Sequence, residues 1–307
     1  MKFGVNVPNY GESATPQGMS RWAARLEELG YHQLMVSDHV ALTPEVQRLF
    51  AAPFYDPFTV LAWLAGTTTR IGLGTTVAIL PYRHPLLVAR TVANIDQLSG
   101  GRFTFGVAAG WAPGEFAALG VPYNQRGARS DEYLAAIKAC WAGERASFQG
   151  RYVSFTDLST GPLPVQPAGP PVWVGGHSRG ALRRAVRYGD AWHPTSVTAE
   201  WLVNIGLPAL RATAKELDLP VPALAPRIKL RLTDRPLGRE RVMGIGTPEE
   251  IRSDLTLLTD LGVENVVLDP TMPGEARTRR REEQDLAALE LLARDVVDLA
   301  TGTVKPA

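Results

Sequence analysis

Four of the five histidines stand at or shortly after the ends of apolar, β-prone runs: His39 after QLMVSD, His84 after TTVAIL, His177 after VWVGG and His193 after DAW. An imidazole exchanges protons near neutral pH, so several gathered at one rim would equip a pocket for acid–base work. In SDHV, Ser37–Val40, the carboxylate of Asp38 stands beside His39. Adjacent strand residues face opposite ways, however, so this spacing alone does not make Asp38 the orienting partner of His39. The stretch VWVGGHSRGALRRA runs a strand into Gly175-Gly176, with Ser178 placed as the N-cap of the following helix. Free backbone N–H groups, the helix dipole and Arg179 there suit a phosphate, and the same residues also read as a tight glycine turn that binds nothing. In LSGGRFTFGVAAGW, Gly100-Gly101 read as a helix C-cap and turn, whereas Gly110 after the strand would let a planar ligand approach the backbone. Neither a metal-ligand cluster nor a nucleophile elbow is found, and RTRRREE, Arg277 to Glu283, reads as a solvated helix start.

These residues need a scaffold that brings strand ends together. β-prone runs at Phe3–Val7, Gln33–Ser37, Ile71–Val77 and Phe103–Val107 precede helical segments at Thr15–Leu29, Asp56–Gly66, Pro85–Leu98 and Ala128–Trp141. Runs at Val172–Val174, Ala191–Trp192, Arg227–Leu232 and Val263–Leu268 precede Ser178–Tyr188, Ala199–Leu217, Pro248–Leu261 and Glu282–Leu299. Eight β-then-α units predict a (β/α)8 TIM barrel occupying 1–307 as one domain. An open doubly wound sheet would show a glycine fingerprint after its first strand, and VPNYGES supplies none. The longest interruptions are Leu42–Tyr55, Trp111–Gln125 and Glu144–Pro171, the last containing SFQGRYVSFTDLS, which alternates like a hairpin. Insertions at the C-terminal mouth are where barrels place their sites.

Thirty-two Lys+Arg against thirty-one Asp+Glu leave a net charge of +1, so no global field draws in nucleic acid or an anionic membrane. A small molecule is the expected partner. The only cysteine, Cys140, recurs at helical spacing with Leu134, Ile137 and Trp141, and reads as a buried small hydrophobe. The first residues already read as strand and turn, and no apolar run approaches the ~20 residues of a membrane span. The expectation is a cytoplasmic protein.

One stretch asks its own question. TTVAILPYRHP, Thr75–Pro85, begins like the end of a buried strand and closes on two prolines, an arginine and a histidine. Together with SDHV, the downstream LLVARTVANIDQLSGGRFTFGVAAGW, VWVGGHSRGALRRAVRYGDAW and GIGTPEEI, it resembles the signature blocks of the bacterial luciferase-like flavin and deazaflavin oxidoreductases, over nearly the whole chain. The departures are Ile95-Asp96 for the usual Leu-Asp, and Ala108-Ala109 where a glycine is common.

The resemblance implies a barrel that binds coenzyme F420, or alternatively FMN, at its mouth and is usually a homodimer. It implies a non-prolyl cis peptide at Thr76-Val77 against the tricyclic ring, with Asp38 and His39 lining ring and substrate. By the same resemblance, Ala109, Gly110 and Trp111 lie beside the ring, and Gly175, Gly176 and His177 form the phosphate loop. Some F420-using sugar-phosphate dehydrogenases carry a catalytic glutamate where Trp111 stands, so that arrangement does not transfer; Glu115 matches a common structural glutamate. The overall pattern is closest to the F420 branch, with His39 the proton-transfer residue in hydride exchange with a small organic substrate. An FMNH2-dependent monooxygenase is the alternative, and a non-catalytic flavin-binding protein is the alternative of another class.

Overall fold

A computed structural model describes residues 1–306. The eight sequence-expected strands are present as β1 (Lys2–Asn6), β2 (Gln33–Val36), β3 (Gly72–Thr75), β4 (Phe103–Ala108), β5 (Val172–Gly175), β6 (Ala191–His193), β7 (Arg227–Lys229) and β8 (Asn265–Asp269). All neighbouring pairs along the sheet are parallel, and β1 joins β8 through Lys2↔Asn265 to Val5↔Leu268. Closure occurs around Pro226. Ala223–Leu224 pairs with β6, and after the proline Arg227–Lys229 pairs with β8, so residues 223–229 join the two edges. A further parallel bridge, Thr195↔Arg227, seals the seam.

Eight helices alternate with these strands: α1 (Pro16–Leu29), α2 (Pro57–Thr67), α3 (Pro85–Ser99), α4 (Arg126–Trp141), α5 (Arg179–Tyr188), α6 (Leu207–Leu217), α7 (Pro248–Asp260) and α8 (Arg279–Leu291). Their starts follow local chemistry. Thr15, Asp56, Ser178, Thr247 and Thr278 each accept a backbone N–H at the N-cap, and Gly30 and Gly100 end α1 and α3 in the left-handed region. Residues 145–159 form the expected antiparallel hairpin. The expected helix Ala199–Leu217 carries a π-helical segment at Leu202–Gly206 ahead of α6. The expected Glu282–Leu299 is cut short at Leu291, followed by a π turn and a small strand, Val297–Asp298.

The period of two along the strands sorts two apolar layers. Leu34, Val36, Val172, Val174, Val266 and Leu268 join the large cluster between sheet and helices, whereas Met35, Trp173 and Val267 pack with Ala191 and Ala225 in a second cluster inside the barrel. Toward the strand C-termini the inward positions turn polar: Asn6, Thr76, His193, Lys229 and Asp269 are all buried. Asp269 accepts from Lys229 Nζ (2.8 Å), Asn6 Nδ2 (2.9 Å) and Thr271 Oγ1 (2.7 Å). Burial alone would raise its pKa, but Arg227 and Lys229 outweigh that and hold the carboxyl far below its ordinary range.

RTRRREE starts a helix as expected, with Arg279, Arg280 and Glu283 exposed, and departs from expectation at Arg277. Thr278 does cap a helix, but Arg277 is fully buried, with Nη2 2.6 Å from Asp285 Oδ2. Composition does not single out Arg277, because its partner Asp285 lies eight positions further on, along the helix.

Candidate active site

A cavity of about 370 Å³ opens at the C-terminal mouth. Asp38, His39, Thr76, Val77, Ala109, Gly110, Trp111, Gly175 and Gly176 line it, as expected from the sequence, whereas His177 and Arg179 do not.

Its floor is the broken end of the third strand. After Thr75 the chain leaves β3 and pairs again with β4 through Ala78↔Val107 and Ile79↔Ala108. The crossing strand approaches so closely that a Cβ on Gly106 would lie 1.9 Å from Thr75 O, which admits glycine alone. The Thr76–Val77 peptide is cis. What holds this segment is Asp38. Its Oδ2 accepts from Ile79 N (2.8 Å) and Arg83 Nη1 (2.7 Å), its Oδ1 from Arg83 Nη2 (2.9 Å), and Arg83 also reaches Asp56 (2.6 Å). The bidentate fork explains why the strand ends in PYRHP: Arg83 must turn back onto the second strand's carboxylate. Asp38 is therefore engaged on both oxygens within the protein, and holds the floor in place.

Beneath Thr76 lies a fixed polar chain. His193 Nδ1 bonds Ala225 O, a carbonyl that can only accept, so Nδ1 carries the hydrogen and Nε2 accepts from Thr76 Oγ1 at 2.8 Å. Burial pushes the His193 pKa down to about 4, which keeps the ring neutral. Arg227 donates to Thr76 O and, at 3.2 Å, to Thr76 Oγ1.

The acid–base end is His39. Its Nδ1 lies 2.8 Å from Glu115 Oε2, which also accepts from Tyr82 Oη (2.8 Å), while Glu115 Oε1 accepts from Val40 N (2.5 Å) and Ala41 N (2.9 Å). Glu115 is completely buried. Burial would raise its pKa, yet the His39 bond and the two backbone donors prevail and hold it below the ordinary value, so it accepts as a carboxylate. His39 Nδ1 thus carries the hydrogen, and Nε2, on a side chain that lines the cavity, has no hydrogen-bond partner among the described residues. Glu115 comes from the short helix Pro113–Ala118 after β4. Sequence reading set it aside as structural; only the fold brings it across to the second strand.

The opposite end is cationic. Gly176 has φ +106 and Trp192 Nε1 donates to its carbonyl (2.9 Å), fixing the turn before the Ser178 N-cap. Arg126 and Arg184 line this end. Arg184 is buried, with Nε 2.7 Å from Asp131 Oδ1 and Nη2 donating to Gly127 O (2.9 Å). Arg179 points outward instead and pairs with Glu216 (3.1 Å), because the helical turn carries position 184, not 179, to the inner face. His177 packs on Trp201 (4.9 Å) and accepts from Thr195 N, and His84 caps α3 at the surface.

The mouth of a (β/α)8 barrel thus carries a cavity with an imidazole held by a buried carboxylate at one end and a glycine turn beside two arginines at the other. The chain belongs to the luciferase-like monooxygenase family, whose model matches residues 1–236. It is 34% identical over 233 residues to the F420-dependent glucose-6-phosphate dehydrogenase of Beutenbergia cavernae, covering 73% of this chain and 66% of that enzyme. It is 37% identical over 141 residues to the FMNH2-dependent dimethylsulfone monooxygenase of Pseudomonas putida, covering 45% and 39%. An uncharacterized Mycobacterium tuberculosis protein is 33% identical over 182 residues, a match spanning 62% of that relative's length. In fold, the chain resembles the coenzyme F420 dependent tetrahydromethanopterin reductase of Methanopyrus kandleri, with a TM-score of 0.76, 17% identity, and 98% and 99% of the two chains covered.

Proposed function

We propose that this chain is an F420-dependent oxidoreductase that exchanges a hydride with a small organic substrate, with His39 moving the accompanying proton. The observation that carries this reading is His39 at the cavity, with Nε2 unpartnered among the described residues while Nδ1 is tied to Glu115. A hydride leaving or entering an alcohol-like carbon must be matched by a hydroxyl proton, and a base held in one tautomer at hydrogen-bonding reach serves that step.

The residues fit the coenzyme. Val77, Ile79, Ala108, Ala109 and Gly110 wall an apolar slot, and a Cβ on Gly110 would come 2.7 Å from Ile79 Cγ2 and 2.8 Å from Phe116, so the wall stays flat only with glycine there. Gly176, Ser178, Arg126 and Arg184 would hold the phosphate. When bound, the deazaflavin supplies a ring carbon that accepts or donates hydride. The chain would do the rest: Thr76 and Val77 would support one face, Arg227 and His193 keep Thr76 in place, and Phe50 and Trp111 lie against His39.

An FMNH2-dependent monooxygenase is the second reading, favoured by the Pseudomonas putida relative and by a slot that suits either tricyclic ring. Fluorescence titration of the purified protein with F420 and with FMN separates the two. Micromolar or tighter F420 binding is expected, and binding of FMN alone would overturn the F420 assignment.

A further inference from the structure

The two ends of the cavity differ in chemistry, and the difference bears on the substrate. Around His39 stand three aromatic rings: Phe50 at 4.9 Å, and Phe54 and Trp111 edge-on at 5.5 and 5.8 Å. Tyr10 braces two of them, stacked on Phe54 and edge-on to Phe50. Two carboxylates stand near His39: Glu115, whose oxygens are taken up by His39, Tyr82 and two backbone donors, and Asp38, taken up by Ile79 N and Arg83.

Three cations line the cavity, and each is engaged elsewhere. Arg227 is held by Thr76, Thr195 Oγ1 and Asp269 at the barrel floor. Arg184 lies against Asp131 and Gly127 O, and Arg126 stacks over Tyr123 at 3.9 Å. The last two flank the glycine turn, where the coenzyme's own phosphate would consume them.

A substrate phosphate or carboxylate placed at His39 would lose its hydration and meet aromatic faces and a carboxylate. An uncharged body would gain by burial against those rings, with a single hydroxyl or carbonyl to meet Nε2. We infer that the substrate is an uncharged alcohol, or the matching carbonyl compound, with an aliphatic or aromatic body, and not a sugar phosphate or a hydroxy acid. This rests on the proposed hydride-transfer reading. In the oxidative direction the carbinol C–H bond breaks, its hydride passes to the oxidised coenzyme, and the hydroxyl proton passes to His39 as the carbonyl forms.

The test is a binding and turnover panel on the protein saturated with whichever coenzyme it takes, F420 or FMN: cyclohexanol, phenylethanol and their ketones against glucose 6-phosphate and lactate. Binding is read from the coenzyme's fluorescence or absorbance. The uncharged compounds are expected to bind at least about tenfold more tightly than either anion. Phe50→Ala should weaken them about tenfold, with coenzyme affinity within about twofold of wild type. Tighter binding of glucose 6-phosphate or lactate, binding of no uncharged compound, or indifference to Phe50→Ala would overturn the inference. Failure of F420 to bind, by contrast, would overturn the coenzyme assignment and leave the substrate comparison intact on FMN.

Discussion

His39 Nδ1 and Glu115 Oε2 lie 2.8 Å apart although 76 positions separate them in the chain. The pair couples the end of the second strand to the insertion after the fourth, and it fixes which nitrogen faces the cavity. Glu115→Gln replaces an acceptor that serves four donors with one that serves fewer. We expect turnover to fall about 10- to 100-fold, the scale on which partners that orient a reactive imidazole act, with coenzyme affinity within about twofold. Glu115→Asp should recover part of the rate. A Gln variant with wild-type kcat would remove Glu115 from the mechanism.

Asp38 makes a different prediction from the one its place beside His39 suggests. Burial disfavours the charge on Arg83, yet Asp38 and Asp56 together keep that guanidinium firmly protonated. Asp38→Ala leaves a half-buried cation with only Asp56, so stability should drop by about 3 kcal/mol, measured by urea denaturation. A loss of activity with unchanged stability would return Asp38 to a direct role at the ring.

Much of this was legible in the sequence and some was not, for reasons of geometry. Strict β-then-α alternation is a local pattern, so all eight strands, the hairpin at 145–159 and the Ser178 cap follow from it. Residues 223–224 escaped because Pro226 splits the closing strand into two short pieces, each too brief to show periodicity. Glu115 escaped because its partner lies on another β/α unit. Arg179 sits next to the glycine turn in sequence, but helical spacing turns it toward Glu216 and brings Arg184 to the cavity instead.

At the cationic end, Gly176→Val puts a β-branched side chain at φ +106 and 3.0 Å from Ala181 Cβ, and Arg184→Met removes a donor. Either change should weaken F420 or FMN by about tenfold or more, the value of a hydrogen bond to a charged group. Riboflavin, which lacks the phosphate, should be affected much less. Equal losses for FMN and riboflavin would move the phosphate elsewhere.

The pH dependence of stability has a sign set by His193. Its folded pKa is depressed to about 4 against an unfolded value near 6.5. The unfolded chain therefore binds the proton first, and the stabilisation, complete above about pH 6.5, is lost as pH falls toward 4, about 3 kcal/mol in all. Denaturation of wild type and His193→Gln should show the variant losing about 3 kcal/mol less than wild type across this window. Parallel slopes would show that His193 titrates freely in the fold.

Hydride exchange with F420 at His39, as proposed, can be followed in an anaerobic single turnover with an alcohol deuterated at the carbinol carbon, chosen from the panel above. F420 should be reduced, deuterium should appear on the reduced coenzyme, and the rate should fall about 10²- to 10⁴-fold in His39→Ala at saturating coenzyme. No reduction of F420, together with substrate oxidation that requires FMNH2 and dioxygen, would contradict the proposed hydride exchange.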